Sequence, residues 1–300
     1  MKVLSLFDGI SCGRVALDRA GIKVDKYAAY EINRGAIKIA QSNYPDIEEN
    51  GDVFKADFTQ YKGFDLLIGG SPCTSWSICK AGHGRETTNS GVGWELFSQY
   101  VRAWKESGVP YFLYENNASM HKDVRAAITE AFGVEPLEIN SSLVSAQSRR
   151  RLYWTNIPGA KAPEDRGISL QSILETGVAD RPKSVCITRR YLASSLVPAS
   201  MCRRYFGRSI GQVVFDSDPS ELKARWAEVK KQGRKFVPSD LDGIKCVPRL
   251  LSVTECERLQ TLPDGYTGKA GLGRGARIGA IGNGWTVDVI AELMGGLKDL

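Results

Sequence analysis

A chain of 300 residues with 42% hydrophobic and 25% charged side chains has the composition of a globular protein with a sizeable core, which excludes wholesale disorder. Its length suits one large domain or a principal domain with a smaller companion, and no window approaches the roughly 20 consecutive apolar residues of a membrane span. The net charge of +6 is modest and points to no polyanionic partner until its distribution is considered.

In chain order, residues 3–7 form a short apolar run ending in Asp8-Gly9, too short for a signal peptide, followed by a helix-like stretch over 13–20. Residues 24–31 read as a second strand ending in an acid, 36–42 as a helix, and 51–53 as the segment after a turn-rich stretch. Residues 64–69 are a buried strand bounded by Gly-Gly-Ser-Pro, 94–106 an amphipathic helix, 111–115 a strand and 124–132 a helix. Strand–helix alternation of this kind predicts a parallel sheet with helices on both faces, in which ligands bind beyond the carboxyl ends of the strands.

Residues 157–247 break the alternation and read as irregular strands and loops with one helical piece at 219–231. A helical pattern returns over 253–262, with Thr254 as N-cap and Glu257 three residues on; a glycine-dense stretch, 265–284, leads into a last helix over 287–297. The middle therefore reads as an insertion between two parts of one sheet domain. It carries 16 Lys/Arg against 10 Asp/Glu, so the whole excess of +6 lies there. Within it, 181–215 holds seven basic residues and no acid, including Arg189, Arg190, Arg203 and Arg204, interleaved with Tyr191, Tyr205 and Phe206. Such a stretch either tracks a phosphate backbone or is a solvated basic face.

Seven cysteines (Cys12, Cys73, Cys79, Cys186, Cys202, Cys246, Cys256) form no CxxC pair, and with only two histidines a structural zinc site is not expected. Reduced, mostly buried thiols and a cytoplasmic location without a targeting signal are the expectation.

The residues just past each strand carry the chemistry. Phe7-Asp8-Gly9-Ile10-Ser11-Cys12-Gly13 is a glycine turn between strand and helix, where the backbone can approach a ligand closely. Glu31, at the next strand end, is placed for two ribose hydroxyls, and Asp52 for an adenine amino group. Neither the dinucleotide fingerprint nor a Walker lysine is present, which favours a nucleoside-type cofactor. Ser71-Pro72-Cys73 would expose a thiol at a strand end. Glu115-Asn116-Asn117 places an acid where it could protonate a ring nitrogen. In Gln147-Ser148-Arg149-Arg150-Arg151-Leu152-Tyr153, alternation puts Arg149, Arg151 and Tyr153 on one strand face.

In this order the motifs resemble those of the DNA (cytosine-5)-methyltransferases. The resemblance covers residues 1–156 and 248–300, leaving 157–247 as the target recognition domain. Residues 7–13 are similar to the first S-adenosylmethionine motif, followed by Glu31 and Asp52. Pro72-Cys73, Glu115-Asn116 and Gln147-x-Arg149-x-Arg151 are similar to the catalytic motifs. Residues 249–263, with Glu255 and Arg258, and Gly282-Asn283-Gly284-Trp285 are similar to the last two, and the opening and Trp285 resemble the animal de novo subgroup. Asn117 stands where the family usually has valine, Thr74 where many members have glutamine, and Trp76 where many have phenylalanine.

The resemblance implies a class I S-adenosylmethionine-dependent methyltransferase fold: an α/β, Rossmann-like mixed sheet with helices on both faces, plus a small irregular recognition domain. It implies a monomer acting on double-stranded DNA without a metal or a membrane, prokaryotic or phage-encoded. Catalysis would fall to Cys73, Glu115, Arg149 and Arg151, with Cys73 adding to C6 of a flipped cytosine. The cofactor would lie against Phe7, Asp8, Gly9, Ile10, Gly13, Glu31, Ile32, Asp52, Val53, Pro72, Asn283 and Trp285. DNA would meet Ser75, Trp76, Arg189, Arg190, Arg203 and Arg204, and the polar run 80–93 would close over the base as a lid. The alternatives are transfer of another group to cytosine and a non-catalytic DNA-binding homologue, against which the intact Cys73, Glu115 and Arg151 argue.

Overall fold

The computed structural model describes residues 1–72, 75–77, 84–189, 191 and 197–298. The chain divides into two compact units. The first comprises Met1–Ser141, Arg150–Glu164 and Trp285–Leu300, and the second Ser142–Arg149 and Asp165–Gly284.

The first unit is built on seven strands: β1 (Lys2–Leu6), β2 (Lys26–Tyr30), β3 (Glu48–Glu49), β4 (Leu66–Gly69), β5 (Tyr111–Asn117), β6 (Leu137–Asn140) and β7 (Arg150–Thr155). Their order in the sheet is β3-β2-β1-β4-β5-β7-β6. The first five strands pair in parallel, whereas β7 runs antiparallel to both β5 and β6. The sheet is thus mixed, as the resemblance implied. The strand order reverses between β1 and β4, which places the crevice for a ligand beyond their carboxyl ends.

The central strands are buried on both faces and read as continuous apolar runs. One face, carrying Leu4, Leu6, Leu67, Phe112, Tyr114 and Trp154, packs against Phe97, Tyr100 and Ala103 of α3 (Val92–Ser107) and Val124, Ile128 and Phe132 of α4 (Lys122–Phe132). Phe132 lies within 5.8 Å of the rings of Phe97, Tyr100, Trp104, Phe112 and Tyr114. The alternate residues Val3, Ser5 and Ile68 face α1 (Cys12–Arg19), which an Arg19–Asp288 ion pair ties to α9 (Val287–Leu293). Between β2 and β3, α2 (Arg34–Asn43) starts at an N-cap, Asn33, whose side chain accepts from the amides of Gly35 and Ala36.

The second unit holds α5 (Pro198–Arg208), α6 (Ser220–Lys231), α7 (Val253–Leu259) and α8 (Arg274–Asn283), with β8 (Val213–Phe215) antiparallel to β9 (Pro248–Leu250). Two of these helices escape a pattern-based reading. α5 lies in the basic stretch expected to be irregular, where Pro198 supplies a preformed first turn. α8 occupies glycine-dense sequence, where Ile278 and Ile281 bury one face. α7 starts at the expected residue, but its N-cap lies two residues earlier than expected: Ser252 is the N-cap and Glu255 completes the capping box.

The expected boundary at 248 also moves. Residues 248–284 belong with the second unit, and only 285–300 return to the first. The cause is local bonding. β9 pairs with β8, and the buried Gln147 side chain donates to the Leu259 carbonyl while its Oε1 accepts the Ile187 amide at 2.7 Å. Lys183 adds three bonds from its ammonium to the carbonyls of Ser142, Ser145 and Ile168.

Candidate active site

The turn after β1 is bent sharply. Phe7, Gly9 and Ser11 have φ of 56°, 63° and 57°, a conformation that costs energy for the two residues that are not glycine. Asp8 holds it, accepting from Tyr27 Oη at 2.7 Å and from the hydroxyls of Ser5 and Ser11. Burial pushes the Asp8 carboxyl above its ordinary range, against those hydrogen bonds. The turn docks on the end of β2: the Gly9 amide donates to Glu31 Oε2 at 2.9 Å, and the Ile32 and Asn33 amides donate to Oε1. Ile10 is buried, whereas Ile32 is 74% exposed, an apolar surface presented next to the acid. Gly13 permits close approach, since a Cβ there would lie 2.4 Å from Ile68 Cδ1 and 3.4 Å from the Trp285 ring.

At the end of β3, Asp52 caps a short 3-10 turn through the Phe54 amide, and Val53 is buried in the core. Glu49 is a residue the sequence reading missed. Both of its carboxylate oxygens are buried without a hydrogen-bond partner, and desolvation with the charges of Asp8 and Glu31 pushes it up to about 7. A carboxylate orphaned among other acids fits a cationic ligand, and S-adenosylmethionine carries a positive sulfonium and an ammonium. The only hint in the sequence is the acid pair Glu48-Glu49 before Asn50-Gly51-Asp52.

β5 delivers the acid. Glu115 is buried, with Oε1 2.9 Å from Arg151 Nε on β7 and Oε2 accepting the Trp285 indole N–H at 2.9 Å. A Cβ on Gly70 would meet the Glu115 carbonyl at 2.9 Å and Oε2 at 3.0 Å, so glycine is needed where the chain leaves β4. The next residue, Ser71, is fixed from below. Its hydroxyl and that of the buried Tyr114 are 2.6 Å apart, and Asn116 Nδ2 donates to the Ser71 carbonyl and to Tyr114 Oη. Pro72 is exposed beyond them. Cys73 lies outside the described residues, as do Thr74, residues 78–79 and residues 80–83 of the expected lid. Asn117 bonds to Asn116 Oδ1 and Ser119 Oγ rather than to the Glu115 carboxylate.

Three expectations need correction or division. Arg149 does not share a strand face with Arg151, because β7 starts at Arg150. Arg149 is buried in the second unit, donating to the Gly284 carbonyl at 3.0 Å and to those of Gly282 and Ile187 at 3.4 Å. Its fork matches these converging carbonyls. Trp76 was expected on DNA, but its ring is fully buried in the aromatic core, and Ser75 is buried beside it. The basic residues also differ from one another. Arg189 is exposed; Arg203 bonds to the Phe236 carbonyl and Ser200 Oγ; Arg204 is half-buried; Arg190 lies outside the described residues. Asn283 is exposed at the end of α8. Among the described residues no cluster of three metal-ligating side chains exists and no helix is long and apolar enough to cross a membrane.

Known proteins are similar to this chain in sequence and in fold. The orphan methyltransferase M.SPRI of Bacillus phage SPR is 33% identical over 169 residues, 52% of this chain and 38% of its own length. The type II methyltransferase M1.ScrFI of Lactococcus lactis subsp. cremoris is 26% identical over 281 residues, 88% of this chain and 70% of its own. The chain spans only about a third of the length of the first phage relatives it matches. In fold it is similar to a Spodoptera frugiperda DNMT2 mutant (TM-score 0.73, 19% identity, 99% of each chain covered). It is similar also to the Entamoeba histolytica methyltransferase EhMeth (TM-score 0.71, 15% identity, 100% of this chain and 98% of that one). Residues 1–158, over half the chain and all of β1 to β7, match the family described as C-5 cytosine-specific DNA methylase, and the chain belongs to that family.

Proposed function

We propose that this chain methylates C5 of a cytosine flipped out of duplex DNA, using S-adenosylmethionine and a transient bond between Cys73 and C6. The observation that carries the reading is the Glu115 carboxylate, gripped by Arg151 and Trp285 at the end of β5 beside the Gly70-Ser71-Pro72 turn that leads to Cys73.

C5 of cytosine is a poor nucleophile until a thiolate adds to C6. Glu115 meets N3 and the exocyclic amine, offsetting the charge that develops in the ring, and Arg151 meets O2. Release of the C5 proton and elimination of the Cys73 sulfur restore aromaticity. Since the reacting atoms are hidden in stacked duplex, the base must leave the helix, at a cost of a few kcal/mol.

The cofactor is held by the strained turn through Phe7, Asp8, Gly9 and Ile10, by Glu31 and Asp52, and by the apolar surfaces of Ile32 and Val53, with Gly13, Pro72 and Trp285 completing the wall. The orphaned Glu49 carboxylate supports a cationic ligand there. When bound, S-adenosylmethionine supplies an electrophilic methyl group. The second unit supplies target recognition, with Arg189, Arg190, Arg203 and Arg204 among its DNA contacts.

The test is a suicide substrate. Tritiated S-adenosylmethionine and duplex DNA containing 5-fluorocytosine should give a denaturation-stable, labelled protein–DNA adduct, because the blocked C5 cannot lose a proton. Cys73→Ser should abolish it. A stable adduct in the serine variant refutes the assignment.

A further inference from the structure

Between α5 and α6 of the second unit lies a groove of about 540 Å³ whose wall is cationic. Arg203 and Arg208 come from α5, Lys230 from α6, and Arg234 and Lys235 from the turn that follows. Its floor is aromatic: Trp226 lies 5.3 Å from the Phe236 ring and 5.7 Å from that of Phe206. The opening is kept by Gly207, where a Cβ would touch the Trp226 ring at 3.4 Å.

The five cations are not equivalent. Arg234 is held in a bidentate pair by Asp240, at 2.6 and 2.9 Å, which fixes the turn and lowers Asp240 to about 2. Arg203 spends one arm on the Phe236 carbonyl at 2.6 Å. The acid nearest in sequence on α6, Glu228, pairs with Arg225. Arg208, Lys230 and Lys235 are exposed, and their side chains make no ion pair or hydrogen bond with any described residue. The helix dipoles explain a basic residue in each last turn. They do not explain why both helix ends and the turn after α6 bring unpaired charge to one concavity.

We infer that this groove is a second contact for duplex DNA, taking consecutive backbone phosphates on Arg208, Lys230 and Lys235 while Arg203 and Arg234 hold its shape. Polyanionic backbone is the occupant that charge complementarity selects, because the cations come from three separate segments and would meet a row of phosphates better than a single anion. The inference rests on the DNA reading above but concerns residues which that reading did not use, Arg203 excepted.

Binding of a duplex to the full chain, followed against salt, tests it. Each phosphate contact contributes about 0.9 to the slope of log K against log salt. The triple variant Arg208→Ala/Lys230→Ala/Lys235→Ala should lower that slope by about 2.7, so that its affinity loss between 50 and 200 mM salt is roughly fortyfold smaller than that of the unaltered chain. A variant of equal charge change on other exposed lysines, Lys161→Ala/Lys245→Ala/Lys269→Ala, controls for net charge. A slope equal to that of this control overturns the groove and leaves the methyltransferase reading standing. Failure of the unaltered chain to bind duplex at low salt overturns both.

Discussion

The indole N–H of Trp285 donates to Oε2 of Glu115 at 2.9 Å across 170 positions of sequence, while Arg151 Nε meets the other carboxylate oxygen. The acid is thereby aimed by two groups that lie far apart in the sequence. Removing one should leave it turning. Trp285→Phe, which keeps the ring and deletes the donor, should reduce methyl-transfer kcat about tenfold. Glu115→Gln should cost about 10³-fold or more, since a positioned acid or base contributes about 10² to 10⁴. Single-turnover kinetics with tritiated S-adenosylmethionine will show this, and a Glu115→Gln variant within tenfold of the parent would contradict the role given to the acid.

Tyr114 is fully buried, yet its hydroxyl lies 2.6 Å from that of Ser71, two residues before the proposed nucleophile, Cys73. Tyr114→Phe should leave the aromatic core intact and loosen the turn. The expected result is a several-fold fall in kcat with the KM for S-adenosylmethionine unchanged. An equal rise in KM would assign Tyr114 to cofactor binding instead.

Arg149→Ala should behave as a structural lesion. It removes a charged donor from the carbonyls of Gly282, Gly284 and Ile187, of which Gly284 keeps the Gln260 side-chain amide and Ile187 the Cys186 thiol. A loss of about 2 to 4 kcal/mol is expected in denaturant titration. A fully stable Arg149→Ala protein that has lost only adduct formation would return this arginine to the catalytic set.

Glu49 makes a pH-dependent prediction. Its carboxyl is raised from the ordinary value to about 7, so the folded chain holds this proton more tightly than the unfolded one. The resulting stability is present below about pH 4.5 and is lost as pH climbs through about 7. Glu49→Gln should therefore nearly match the parent in unfolding free energy at pH 5 and exceed it at pH 8, by about 1 to 2 kcal/mol once solvent screening of this half-buried group is allowed for, with a higher melting temperature at pH 8. The same variant should bind S-adenosylmethionine more weakly at pH 8, since it removes a negative charge beside a cation. Identical melting curves at both values would show that the carboxylate is not desolvated.

Most strands and helices of the first unit were legible because their patterning is local; the short β3 and β6 were not. Leu66–Gly69 is a pure apolar run, and α3 and α4 repeat at helical spacing. The strand-end motifs Phe7-Asp8-Gly9, Glu31, Asp52 and Glu115-Asn116 were legible for the same reason. α5 and α8 were not: one is masked by arginines, the other by glycines that lower helix propensity, and tertiary burial of Tyr205, Ile278 and Ile281 outweighs both.

Sequence alone determined the family, the order of the motifs and the sheet that carries them, because each depends on residues close together in the chain. Tertiary structure decided which arginine of the Gln-x-Arg-x-Arg motif faces Glu115, that Trp76 is core, that Glu49 is orphaned, and that residues 248–284 join the second unit. Those outcomes depend on which carbonyls, rings and charges converge from distant segments. Burial makes each such convergence costly to leave unpaired, and no local pattern encodes it.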